Sequence, residues 1–273
     1  MTDSFMSWIG GKKALRAIIV SMFPPYFEKY IEAFGGGGWV LFYKLPGRFE
    51  VYNDLNSWLV NLYRCVRDKP EELMDKLRYV LNSRADFELA CQQLADPNCG
   101  TDVQRAAWYY QVIRQSYGSA AESYGSNPRD IRASFPLIER AHRRLASVVV
   151  ENQDFQQLIT HYDGDYSFFY CDPPYHGTEK YYKNIGENGF SEADHLRLRD
   201  TLMDIRGKFL LSYNDDDFVR ELYNRPGIYL TSVSRLDAMR QKTQPGALFP
   251  EVLISNYPPP PTQLSLFNHE EAI

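Results

Sequence analysis

Cysteine and histidine are scarce. Four cysteines (Cys65, Cys91, Cys99 and Cys171) and five histidines are scattered through 273 residues, and no CxxC pair occurs. This disfavours both a zinc site and a disulfide framework, and no metal is expected. Long apolar runs are missing too: none approaches the ~20 residues needed to span a bilayer, and the opening MTDSFMSW lacks the charged and apolar pattern of a signal segment. A cytosolic chain is expected. There is no excess of positive charge. The formal net charge is −5, so any nucleic-acid surface must be a local basic patch. Nor is there a phosphate loop ending in Gly-Lys-Ser or Gly-Lys-Thr, which disfavours a nucleotide triphosphatase.

What is present is an ordinary globular composition, 44% hydrophobic and 24% charged, with 20 Tyr and 16 Phe. Aromatic rings of this number suit core packing and stacking on bases alike. The length admits one large core, or a core with one sizeable insertion.

Along the chain, Leu15, Ile18, Ile19 and Met22 recur at helical spacing until Pro24 and Pro25 end the helix. Tyr30 to Phe34 reads as a buried strand running into Gly35, Gly36, Gly37 and Gly38 and then an apolar helix, Trp39 to Tyr43. A second strand, Phe49 to Asn53, closes in Asp54 before a helical pattern from Leu55 to Val66. Residues 59–144 carry helical periods through Leu73 to Leu81, Phe87 to Leu94 and Val103 to Ile113, with no convincing strand, and read as a helical insertion. Its second half holds a polar loop, Ser116 to Arg132, and a basic segment with Arg140, Arg143 and Arg144.

Strand signals then return at Val148 to Val150, Ser167 to Cys171, Phe209 to Tyr213, Ile228 to Val233 and Val252 to Tyr257, separated mostly by helices. About seven strands in this alternation predict an α/β fold with a largely parallel sheet. Residues 1–58 and 145–257 form this sheet domain. In such sheets ligands bind beyond the carboxyl ends of the strands. The glycine turn, Asp54 and the stretch Asp172, Pro173, Pro174, Tyr175 all fall at such ends.

The prolines of that stretch fix two φ angles and carry no amide hydrogen, leaving Asp172 and the Pro173 carbonyl as stiffly held acceptors beside the Tyr175 ring. The tetrad fits either a pocket for a flat amine or a tight Asp-Pro turn. The four glycines admit close approach of a ligand to the backbone. Asp54 fits either a ribose-binding carboxylate or a helix N-cap.

Taken together, FGGGG, the NDLN after the second strand and DPPY resemble the cofactor and catalytic motifs of Dam-type DNA adenine methyltransferases in their alpha arrangement. Trp8, Ile9, Gly10, Gly11, Lys12 resembles that family's WxGGK. Gly189, Phe190 with Asp194, His195, Leu196 resembles GFxxxDQxxL, with histidine for glutamine. FLLSYND at 209–215 and EVLISNY at 251–257 resemble two of its later strands.

The resemblance implies a seven-stranded Rossmann-like methyltransferase sheet with an inserted helical DNA-recognition domain, S-adenosyl-L-methionine as cofactor, and methyl transfer to a flipped-out adenine in double-stranded DNA. It carries Trp8, Lys12, Phe34, Gly35 to Gly38, Asp54 and Asp172 over as cofactor contacts. By the same resemblance Asp172, Pro173, Pro174 and Tyr175 are catalytic, with Tyr175 stacking on the base. A restriction-modification or phage setting is implied as well. The rivals are amino methylation of cytosine or RNA, and an idle DNA-binding module.

The recognition region departs from the family's pattern. DNA contacts are expected on Arg114, Tyr117, Arg129, Arg132, Arg143 and Arg144, although each arginine taken singly also suits a solvated helix face. After Tyr257, four prolines (Pro258 to Pro261) make a stiff spacer. Gln263, Leu264, Ser265, Leu266 and Phe267 then resemble the peptide by which bacterial proteins hold the DNA polymerase sliding clamp. A tail packing back on its own domain is the alternative.

Overall fold

The computed structural model of the chain describes residues 2–8, 10–96, 98–116, 123–125, 130–178, 189–236 and 244–260. A short helix α1 (Arg16–Ser21) leads to β1 (Lys29–Glu32), the glycine turn and α2 (Trp39–Tyr43). Then come β2 (Phe49–Asn53), α3 (Ser57–Asp68), α4 (Pro70–Leu77), α5 (Arg84–Ala95), α6 (Asp102–Gln115) and α7 (Phe135–Leu145). The second half alternates: β3 (Val148–Glu151), α8 (Phe155–Tyr162), β4 (Ser167–Cys171), α9 (Glu192–Asp204), β5 (Lys208–Asn214), α10 (Asp217–Tyr223), β6 (Tyr229–Leu236) and β7 (Leu248–Ser255).

The seven strands form one sheet in the order β3-β2-β1-β4-β5-β7-β6. The first five are parallel, whereas β7 runs antiparallel to both β5 and β6. The expected α/β class is therefore found, with the parallel reading limited to five strands. The central β4 is buried at all five positions, as a strand covered on both faces must be. Strand order reverses beside β1, so the carboxyl ends of β1 and β4 flank a crevice.

Local chemistry starts the helices. Asn56 caps α3 by accepting from the Trp58 and Leu59 amides, and Thr101 with Gln104 forms a capping box on α6. The cap of α3 is thus Asn56, not Asp54. The boundary expected between residues 58 and 59 falls inside α3, which packs on the sheet: Tyr63 stacks on Tyr52 of β2 at 3.9 Å, and Arg64 and Arg67 donate to carbonyls of β3. Helices α6 and α7 share the same core, since Tyr110, Ile138 and Leu145 cluster with Phe5 and Tyr52. The basic segment expected before β3 is the helix α7, whose inner face buries Ile138, Ala141 and Leu145. Among the described residues no helix is long and apolar enough to cross a membrane.

Candidate active site

The glycine turn is held by contacts that leave no room for larger residues. A Cβ on Gly35 would lie 2.2 Å from the Tyr52 ring, and one on Gly36 or Gly37 would strike Trp8. Gly36 and Gly38 also have φ of +48° and +62°, where glycine alone is unstrained. The Gly36 carbonyl accepts both Tyr52 and Tyr63 hydroxyls, at 2.7 and 3.1 Å. Its amide donates to Asp54 Oδ2 at 2.9 Å, while Asp54 Oδ1 accepts from the Asn56 amide at 2.9 Å. Asp54 therefore ties the turn to the start of α3. Burial raises its carboxyl above the usual range, and these two amides oppose the rise.

One cleft is lined by Trp8, Lys12, Phe34, Gly35 to Gly38, Asp54, Asp172 and Pro174, so nearly all the expected cofactor and catalytic positions converge there. Lys12, 4% exposed, reaches Asp172 Oδ1 at 2.7 Å and also donates to the Gly10 carbonyl. Burial raises the Asp172 carboxyl to about 6, with the Lys12 cation working against it. Asp172 Oδ2 carries no bond among the described residues, which leaves it available to a donor.

Tyr175 differs from expectation. Its ring is 6% exposed and does not line the cleft. Lys12 Nζ stands 4.6 Å from the ring centroid, and Phe249 lies nearly parallel to it at 6.3 Å. The hydroxyl donates to buried Glu251 at 2.5 Å. Because the expectation used only the ring face, the phenol bond is a new element of the site.

Further residues complete the cleft. Asn53 joins the ends of β1 and β3, donating to the Ala33 and Gln153 carbonyls at 2.9 and 3.0 Å. Phe155 and Phe34 face each other at 5.4 Å, and the Arg197 guanidinium lies 4.1 Å from the Phe155 ring centre while pairing with Asp154 and Asp194. The two rings give the cleft an aromatic wall against which a flat heterocycle can pack. Asp154, shortly after the β-branched strand β3, mirrors Asp54 after β2, whereas Phe155 and Arg197 stand in no motif. Tyr109 and Ile113 of α6 also reach the cleft, so α6 helps build its wall. Glu32, at the carboxyl end of β1, is buried there and pushed up to about 8 by burial, while accepting the Tyr30 hydroxyl at 2.6 Å.

The expected DNA-binding arginines separate. Arg144 points inward, 7% exposed, and clasps Glu50 with both terminal nitrogens at 2.6 and 2.8 Å. It is a structural ion pair and not a DNA contact. Arg143 is exposed, but it sits at the end of α7 that feeds the amino end of β3, opposite the cleft. The intervening helix of 11 residues is about 16 Å long, so Arg132, just before α7, lies at the other end from Arg143. Arg132 is 62% exposed and paired with Asp130, and Arg114 is half-buried near the end of α6. Tyr117, Arg129 and the peptide Gln263 to Phe267 lie outside the described residues.

A family model for D12 class N6 adenine-specific DNA methyltransferases matches residues 8–91 and 110–241. Among curated proteins, a Type II methyltransferase of Lactococcus lactis subsp. cremoris is 28% identical, with 93% of this chain and 95% of the relative covered. A Type II methyltransferase of Methanocaldococcus jannaschii is 26% identical over 93% and 98% of the two chains. A DNA adenine methylase of Haemophilus influenzae is 27% identical over 81% and 82%.

Proposed function

Since the chain belongs to the D12 class N6 adenine-specific DNA methyltransferase family, we propose that Asp172 and the Pro173 carbonyl hold the adenine amine for methylation in the cleft beyond β1 and β4. The enzyme methylates the exocyclic amino group of adenine in DNA. S-adenosylmethionine supplies the methyl group as a sulfonium substituent. The turn that a Cβ would fill, the deep carboxylate Asp54 for ribose hydroxyls and the Phe34 and Phe155 wall for its adenine fit that cofactor. Trp8 and Lys12 close the same space.

The observation that carries the reading is Asp172, a carboxylate whose Oδ2 has no bond among the described residues, in the same cleft as the glycine turn. An adenine amine is a poor nucleophile because its lone pair is conjugated into the ring. When Asp172 and the Pro173 carbonyl accept its two hydrogens, the nitrogen pyramidalises and its lone pair is freed. Carboxylate charge also favours the cation that develops as the methyl arrives. The target base leaves the duplex to reach this depth, and stacking on Tyr175 requires Lys12 to give up its place over the ring. Arg114 and Arg132, on the cleft side, with Tyr117 and Arg129, remain the proposed DNA contacts. The tail Gln263 to Phe267 recruits the enzyme to a sliding clamp in a bacterial cytoplasm, and pairing with a restriction nuclease is the proposed setting.

Labelled S-adenosylmethionine and unmethylated duplex DNA, followed by digestion to nucleosides, test the reading. N6-methyladenine is expected, and Asp172→Ala should abolish it. Methylcytosine as the product, or undiminished transfer by Asp172→Ala, would overturn it.

A further inference from the structure

Glu251 on β7 is fully buried, yet holding the amine makes no use of it. Its Oε2 accepts the Tyr175 phenol at 2.5 Å and its Oε1 accepts the Arg235 guanidinium at 2.5 Å. Lys12 Nζ stands 4.0 Å from the same carboxylate while gripping Asp172. A carboxylate withdrawn from water is costly unless paired and hydrogen-bonded. Every partner here leads back to the Asp172–Tyr175 stretch. One is Tyr175 itself, and another is the lysine that both holds Asp172 and covers the Tyr175 ring. The third, Arg235, lies 4.7 Å from the Phe249 ring that runs parallel to Tyr175. Phe249 and Glu251, two apart on one strand, face the same side of the sheet.

We propose that Glu251 is a positioning residue for methyl transfer, locking the Tyr175 ring through its phenol and setting the charge balance of the Lys12–Asp172 pair. The proposal rests on the reading of Asp172 as the group that holds the amine. Asp172 is faced by Lys12 from the N-terminal segment, Glu32 from β1, Tyr170 from β4, Tyr175 from the following turn, Arg235 from β6 and Glu251 from β7. Lys12 and Arg235 favour its charged form, whereas Glu251 opposes it. Removing the Glu251 charge therefore lowers the pH at which Asp172 gains a proton, and removing the Arg235 charge raises it.

Carboxyl carbon NMR of the full chain, with the Asp172 signal assigned by its loss in Asp172→Asn, reads this directly and without turnover. The Asp172 midpoint is expected to fall in Glu251→Gln and to rise in Arg235→Gln. The second variant, at a partly exposed position, keeps the test open if the first does not fold. In parallel, kcat should fall roughly ten- to a hundredfold in Glu251→Gln, the scale expected for a displaced reacting group, with the acid limb moved to lower pH. Glu251→Asp should return the acid limb toward wild type while kcat stays low, separating charge from ring placement. Unmoved midpoints, or wild-type kcat in Glu251→Gln, in an enzyme that methylates adenine would overturn the proposal alone. A wild-type protein that transfers nothing to adenine would overturn the reading beneath it and the catalytic half of the proposal.

Discussion

Lys12 Nζ and Asp172 Oδ1 meet at 2.7 Å, joining the segment before α1 to the end of β4 across the cleft. The lysine is 4% exposed and the carboxylate 19%, so their attraction is only partly screened. Desolvation outweighs the lysine at Asp172, whose carboxyl lies at about 6 and thus above its usual range.

The acid limb of activity follows from that pair. A raised carboxyl stays protonated to higher pH than usual, and the protonated form is a poorer acceptor for the amine. The single-turnover rate should therefore drop as pH falls through about 6. Asp172→Asn should remove this dependence and lower the rate more than about a hundredfold. Rapid-quench rates between roughly pH 5 and 8 check both.

Glu32 should give stability a slope of definite sign. Its carboxyl is at about 8 when folded and near 4.3 in an unfolded chain. The native state therefore holds the extra proton between those values, and stability falls as pH rises through that window. Glu32→Gln should remove this part of the decline, gaining on wild type up to about pH 8 and running parallel beyond it. Urea melts of both proteins across the window decide the matter, and parallel curves throughout would count against it.

Arg144 and Arg143 should behave oppositely despite being neighbours. Arg144→Ala leaves buried Glu50 with Lys44 and the Gly47 amide but without its two guanidinium bonds, and should cost about 1.5–3 kcal/mol. Arg143→Ala should leave both the melting temperature and the salt slope of DNA binding near wild type. A DNA affinity that weakens less steeply with salt in Arg143→Ala would show that it does touch phosphate.

Gly35→Ala should damage the cofactor cleft. Tyr52, whose ring the new methyl would meet at 2.2 Å, is fully buried and stacked on Tyr63, so it has nowhere to retreat. About 1–3 kcal/mol of stability should be lost to overpacking, together with S-adenosylmethionine affinity measured by calorimetry. Gly47→Ala, whose methyl meets nothing closer than 3.7 Å, is the control.

Deletion of residues 262–273 should abolish retention on an immobilised sliding clamp and leave methylation of short duplexes intact. Clamp retention by the truncated enzyme would refute the role given to the tail.

Local sequence is enough to set the parallel strands and the ends at which the chemistry gathers. A buried strand, a glycine turn and a carboxylate are each encoded within a few residues, by apolar runs and by turn chemistry that no distant partner has to supply. Which way charged and hydroxyl groups face depends instead on contacts between distant strands. Arg144 turns inward because Glu50 reaches it from β2, and the Tyr175 phenol turns away from the cleft because Glu251 lies 76 positions downstream on a strand inserted between β5 and β6. A polar side chain sits where its partner satisfies it on burial, and here the partners come from strands far apart in the chain.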